Sequence, residues 1–170
     1  MSHYRCDTKA AVDQAAFRDA MARFPSGVTI VTTYDETGRP CGFTASSFCS
    51  VSADPPLVLV CLARSARSFP VFSRTVRFAV SVLGCDQTSL AMRFATRGAD
   101  KFGTGGFIDT TTGALMVDRA LVGLDCVKES QHHAGDHVII VGRVEAVLVP
   151  DAGKRSPAVY VNRAFAELTG

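Results

Sequence analysis

The chain lacks any apolar run long enough to cross a bilayer. Its longest, LVLVCLA (57–63) and VIIV (138–141), fall far short of the roughly 20 residues a spanning helix needs. It lacks a lysine- or arginine-rich block, and its formal net charge is only +2. That balance gives no reason to expect nucleic acid or an anionic membrane surface as a partner. The N-terminal stretch MSHYRCDTKAAVDQ has no apolar segment of the signal-peptide kind. These absences together predict a cytoplasmic protein.

The common site motifs are also missing. No GxGxxG follows a strand, and GADKFGTGGF (98–107) has neither that spacing nor a Walker lysine after it. A bound nucleotide would therefore not rest on a Rossmann or P-loop platform. HEXXH and CXXC do not occur. His132, His133 and His137 have no nearby Cys or carboxylate set to complete a metal site. They read as a polar hairpin tip, and no metal is expected. The cysteines at 6, 41, 49, 61, 85 and 126 show no tight pairing. Most sit inside apolar segments, where a thiol acts as a small hydrophobe.

What is present describes one globular domain. The 170 residues are 47% hydrophobic and 20% charged, enough to bury a core without staples. Residues 1–10 read as a mobile lead-in and 11–170 as the domain. Val12, Ala16, Phe17, Ala20, Met21 and Phe24 recur at helical spacing, which predicts a helix over 9–23 ended by Pro25-Ser26-Gly27. GVTIVTTY (27–34) and residues 40–47 predict a hairpin about the turn Asp35 to Gly38. Pro55 and Pro56 can open a strand but not sit inside one, so a strand begins at 57. Residues 65–75 and 86–97 predict short helices, the second with Leu90, Met92 and Phe94 inward. VRFAVSVL (76–83), 120–131, 137–149 and 157–161 predict strands, and 98–118 a loop. Antiparallel hairpins with few peripheral helices favour a closed or nearly closed barrel over a doubly wound sheet.

Two stretches point to a ligand. In GFTASSF (42–48), the run Thr44-Ala45-Ser46-Ser47 could be a half-exposed strand and turn. It also offers a wall of small side chains against which a large flat ring could lie, with hydroxyls and backbone N–H groups as donors. ARSARSFPVF (63–72) places Arg64 and Arg67 just before a helix start at Ser65 or Ser68, a setting suited to phosphate. Together the two describe a flavin nucleotide better than either alone.

The chain resembles the short-chain flavin reductases, the small components of two-component flavin-dependent monooxygenases. The resemblance is carried, from Phe17 to Tyr160, by FPSGVTIVTT, GFTASSF…SVS…PPLV, RFAVSVL, GDH and PAVY. It implies a mainly β, FMN-binding split β-barrel of Greek-key type, a homodimer, and FMN or FAD near the subunit interface. It implies that Gly42, Phe43, Thr44, Ala45, Ser46, Ser47 and Phe48 cradle the isoalloxazine and ribityl chain, and that Cys61, Leu62 and Ala63 continue the wall. Arg67 and Ser68 would hold phosphate, helped by Arg93 and Phe94, while Lys101 and Phe102 match a loop that closes over the flavin. His137 of Gly135-Asp136-His137 matches a histidine beside the nicotinamide and is the expected catalytic residue, and Tyr160 lines the same side. The tail Asn162-Arg163-Ala164-Phe165 departs from the family pattern.

The activity so implied is NAD(P)H:flavin oxidoreduction, with NADH favoured and NADPH an alternative, and with reduced flavin released to a separate monooxygenase. Two competing readings share the barrel: a non-enzymatic flavin carrier or sensor, and an FMN oxidase like the pyridoxamine-phosphate oxidases.

Overall fold

A computed structural model of the chain describes residues 11–110, 113–150 and 155–168. The expected mobile lead-in, 1–10, lies outside them. The fold is mainly β. One sheet has seven strands in the order β3-β2-β6-β9-β10-β5-β4, every neighbouring pair antiparallel. These strands are β2 (Thr29–Tyr34), β3 (Pro40–Ala45), β4 (Cys49–Ala53), β5 (Pro56–Ala63), β6 (Arg77–Val82), β9 (Val122–Ala134) and β10 (His137–Leu148). A small sheet joins β1 (Ser26–Gly27), β11 (Val159–Val161) and β12 (Ala164–Ala166), and a hairpin joins β7 (Phe107–Asp109) to β8 (Leu115–Val117). The helices are α1 (Gln14–Ala22), α2 (Phe69–Arg74) and α3 (Thr88–Ala95).

The expected hairpin at 35–38 forms because Asp35 Oδ1 accepts from the N–H groups of Thr37 and Arg39, both at 2.9 Å, while Gly38 takes φ +77°. The Thr37 hydroxyl, donating to the same oxygen at 2.7 Å, does most to hold the Asp35 carboxyl well below the usual carboxylate range, followed by the Arg39 N–H. β2 is buried almost throughout because both its faces are covered. Val31 packs into the larger core cluster and Ile30 into a second one under α3.

The larger cluster shows how the sheet curls. Phe43 and Ala45 of β3 share it with Val58, Val60 and Leu62 of β5, from near the other end of the ladder. Phe72 of α2 fills the middle, edge-on to Phe43 at 4.9 Å and 82°. Yet no ladder joins β3 to β4 or β5 among the described residues. In its place Ser47 Oγ accepts from the Cys61 N–H (2.9 Å) and donates to the Cys61 carbonyl (3.3 Å). A side chain spans the seam where a strand pair would close it.

Four expectations are corrected. The loop expected over 98–118 contains the β7–β8 hairpin; its strands are only three residues each, too short to show a period. β4 and β12 were not expected as strands: β4 is largely exposed, and β12 is only three residues long. Met92 points outward at 54% exposure, and Ala91 takes the inward place beside Phe94. Finally, β9 runs on to Ala134, so His132 and His133 lie in a strand and the tip is only Gly135-Asp136. Positive φ at Gly135 (+59°) makes so tight a turn possible.

Candidate functional site

The seam between β3 and β5 opens into a cleft of about 770 Å³. One wall is β3 with Ser46 and Ser47. The opposite wall is the end of β5, the 65–68 turn and His137. The C-terminal end of α3 and the 96–102 segment after it form the rim. β3 meets this space edge-on. Its Phe43 and Ala45 side chains enter the larger core, while Gly42 and Thr44 turn to α3. With both faces packed, what β3 offers the cleft is its edge, a row of backbone N–H and C=O groups with no neighbouring strand.

That geometry changes the reason for the small residues. A Cβ at Gly42 would lie 2.8 Å from Phe94 Cε1 and 2.8 Å from the Val31 carbonyl oxygen, so the glycine lets α3 close on the sheet. Thr44 Oγ1 donates to the Ala91 carbonyl at 2.6 Å, at the same contact. Ser47 is engaged with Cys61. Ser46 is exposed, and its hydroxyl has no protein partner among the described residues. Of the hydroxyls in the wall, Ser46 is the one left to meet a ligand.

The rim is fastened from two sides. Phe102 packs edge-on to Phe94 at 5.1 Å and against Phe107 at 5.1 Å. Lys101 reaches back to donate to the Gly42 carbonyl at 2.9 Å, its ammonium 5.7 Å from the centre of the Phe94 ring. Burial pushes the Lys101 ammonium below the usual lysine range. Burial also raises the Cys41 thiol nearby, with Lys101 acting in the opposite sense. Asp100 caps the turn, accepting from the N–H groups of Phe102 (3.2 Å) and Gly103 (2.9 Å).

On the far wall, His137 sits opposite Ala63 in the β10–β5 register, so their side chains share a face. His137 Nδ1 lies 2.8 Å from Asp136 Oδ1. That contact lowers the Asp136 carboxyl, first through the hydrogen bond and then through charge. An ionised carboxylate can only accept, so Nδ1 carries the proton of this bond and Nε2 is the ring nitrogen left for other partners.

Most of the expected site residues meet here. Gly42, Phe43, Thr44, Ala45, Ser46, Ser47, Cys61, Leu62, Ala63, Arg67, Ser68, Phe94, Lys101, Phe102 and His137 all line the cleft, though the side chains of Phe43, Ala45 and Leu62 are packed in the larger core cluster. Three do not. Phe48 packs on the larger core cluster. Arg93 is bonded to Thr104. Tyr160 stacks edge-on with Phe165 at 5.4 Å in the small sheet. Ser68 occupies the cap position of α2 but makes no side-chain capping bond. Arg97 and Cys41 line the cleft and were not foreseen. Arg97 lies past the end of α3, where helical spacing gives no guide. Among the described residues, no three His, Cys, Asp or Glu side chains group as a metal site, and no helix is long and apolar enough to cross a membrane.

A mainly β domain thus gathers an unpaired strand edge, two arginines, a lysine and a histidine around one open cleft. Residues 21–169 match the flavin reductase like domain, and the chain belongs to that family. It is 55% identical over 158 residues to the actinorhodin polyketide dimerase of Streptomyces coelicolor, covering 93% of this chain and 88% of the relative. It is 39% identical over 137 residues to HsaB, the reductase subunit of a flavin-dependent monooxygenase of Rhodococcus jostii, covering 81% and 70%. Some relatives are longer: the chain spans 45% of a probable flavin reductase of Rhizobium meliloti. Among solved structures, the Streptomyces globisporus NADH:FAD oxidoreductase SgcE6 in complex with NAD and FAD fragments superposes with a TM-score of 0.86 at 32% identity, over 92% of this chain and 93% of that one.

Proposed function

We propose that this chain is an NAD(P)H:flavin oxidoreductase that reduces FMN or FAD and releases the product to a separate monooxygenase. The observation that carries this reading is the free edge of β3 facing Ala63 and His137 across one cleft. A flavin bound there would accept a hydride from a reduced nicotinamide. The protein's part is to bind, orient and exclude water, since this transfer needs no side-chain nucleophile. The backbone of 42–45 and the Ser46 hydroxyl would satisfy the polar edge of the ring. Arg67 and Ser68 would hold its phosphate. Lys101 would supply positive charge to a flavin that becomes more negative on reduction. His137, oriented by Asp136, would place the nicotinamide or hold a proton at Nε2. NADH is the favoured donor because the relatives' names point that way.

Several finer features belong to the same reading. The curled sheet serves as a split barrel whose seam is the ligand cleft. The protein works as a homodimer, since α1 buries no residue and leaves Phe17 (56% exposed) and Met21 uncovered, with Phe24 just beyond it exposed as well. Tyr160, Phe48 and Arg93 would gain a site role only through such a partner. The location is cytoplasmic.

The test mixes protein, NADH and excess FMN or FAD, and follows the nicotinamide absorbance. Many turnovers are expected. Flavin retained on gel filtration without NADH consumption would favour the carrier, and oxygen-dependent amine oxidation without NADH the oxidase. The 55% identity to a polyketide dimerase favours one second reading: the dependent reaction joins aromatic polyketides, and this chain takes part in it. Coupling of a phenolic polyketide by this protein with NADH, flavin and oxygen, without an added oxygenase, would support that.

A further inference from the structure

The cleft is lined by three cations, Arg67, Lys101 and Arg97, against one carboxylate, Asp100, among the described residues. Two of these charged groups have partners. Lys101 is bonded to the Gly42 carbonyl, and Asp100 to the N–H groups of its own turn. Arg67 and Arg97 are different. Both are exposed, and among the described residues neither has a carboxylate within ion-pair distance or a hydrogen-bonded partner. Arg67 comes from the turn after β5 and Arg97 from the segment after α3, and both line the same cleft. Gly98 brings the two segments together, since a Cβ built on it would stand 3.6 Å from Arg67 Nη1.

Two permanent guanidinium charges in one cleft repel each other. An anion between them converts that repulsion into two charge-assisted contacts. Arg93, one helical turn earlier, does not share this task, because it is bonded to Thr104 away from the cleft.

We propose that Arg97 is a second phosphate-binding residue, alongside Arg67, and that the pair makes the flavin's phosphate the group that ties the 96–102 rim to the β5–α2 turn. This rests on the flavin reductase reading. The rim is already fixed at Lys101 and Phe102, on the ring side of the cleft. Phosphate at Arg97 fixes its other end. Phosphorylated flavins are then held by both ends of the rim, and riboflavin by one. Arg97 is thus a specificity-determining residue for phosphorylated over unphosphorylated flavin.

The experiment measures dissociation constants for riboflavin and FMN by flavin fluorescence, on the wild-type protein and on Arg97→Ala, Arg97→Lys and Arg67→Ala/Arg97→Ala. FMN should bind wild type more tightly than riboflavin. Arg97→Ala should weaken FMN about tenfold, as expected for loss of a guanidinium–phosphate contact, and riboflavin less than about twofold. Arg97→Lys should recover part of the loss, and the double variant should bind the two flavins alike. A merely structural role would weaken both flavins together. That result, an unchanged FMN-to-riboflavin ratio in Arg97→Ala, or equal wild-type affinity for the two, overturns the proposal while leaving flavin reduction standing. A wild-type protein that binds neither flavin and consumes no NADH overturns both.

Discussion

The two faces of β5 meet opposite surroundings. Val58, Val60 and Leu62 point into the larger core and are almost wholly buried. Leu57, Leu59, Cys61 and Ala63, the alternate residues, stay half-buried, and the last two line the cleft. One strand therefore does two jobs with period-two separation. The inward face sets stability, because it touches Phe72 and Phe78 in a close-packed interior. The outward face sets what can bind. Substitutions on the two faces should separate folding from function.

The largest expected effect lies inward. Phe72→Ala removes a fully buried ring that packs edge-on against Phe43, and should cost about 3–5 kcal/mol of stability. Chemical denaturation measures this, and the molecules that remain folded should bind flavin normally; a loss below about 1 kcal/mol would mean that the core is not where the structure puts it. The next lies outward. His137→Ala should slow flavin reduction about a hundredfold, within the range for loss of a positioned acid–base group, with flavin affinity changed little. Stopped-flow reduction set beside a binding titration decides it, and an affinity loss larger than the rate loss would assign His137 to flavin binding.

Gly42→Val tests the border between the two regions. Its side chain would press on Phe94 and the Val31 carbonyl, at a cost of about 1–3 kcal/mol. Because Phe94 also carries Lys101 and Phe102, flavin affinity should fall with stability. Stability loss alone would separate the rim from α3. Ser47→Ala has the smallest effect. Losing both hydrogen bonds to Cys61 should cost about 1 kcal/mol, visible as a lower denaturation midpoint with turnover nearly unchanged.

How far the site could be read from sequence follows from where its residues sit. Thr44, Ser46, Ser47, Cys61 and Ala63 lie in or beside strands whose β-branched, alternating pattern is plain in the chain, and the first three fall in the contiguous motif GFTASSF. Arg97 follows a helix end, and neither period nor motif marks it. Arg93, in the last turn of α3, is bonded to Thr104, while Arg97 lies past the extended Thr96 and lines the cleft. The hydroxyl wall was legible as a pattern, but the bonds of Thr44 to Ala91 and of Ser47 to Cys61 join residues 47 and 14 apart in the chain. No local window contains them.

By itself the sequence determined the antiparallel strands, the Asp35–Gly38 hairpin and the segments that border the cleft, because alternation and turn chemistry act over a few neighbouring residues. Only the tertiary structure decided that β3 meets the cleft by its edge, that Gly42 is glycine for the sake of Phe94, and that Arg67 and Arg97 line one cleft with no ion-pair partner among the described residues. Those outcomes depend on how a seven-stranded sheet curls. The curl is set by contacts between side chains far apart in the chain, so no short stretch of residues encodes it alone.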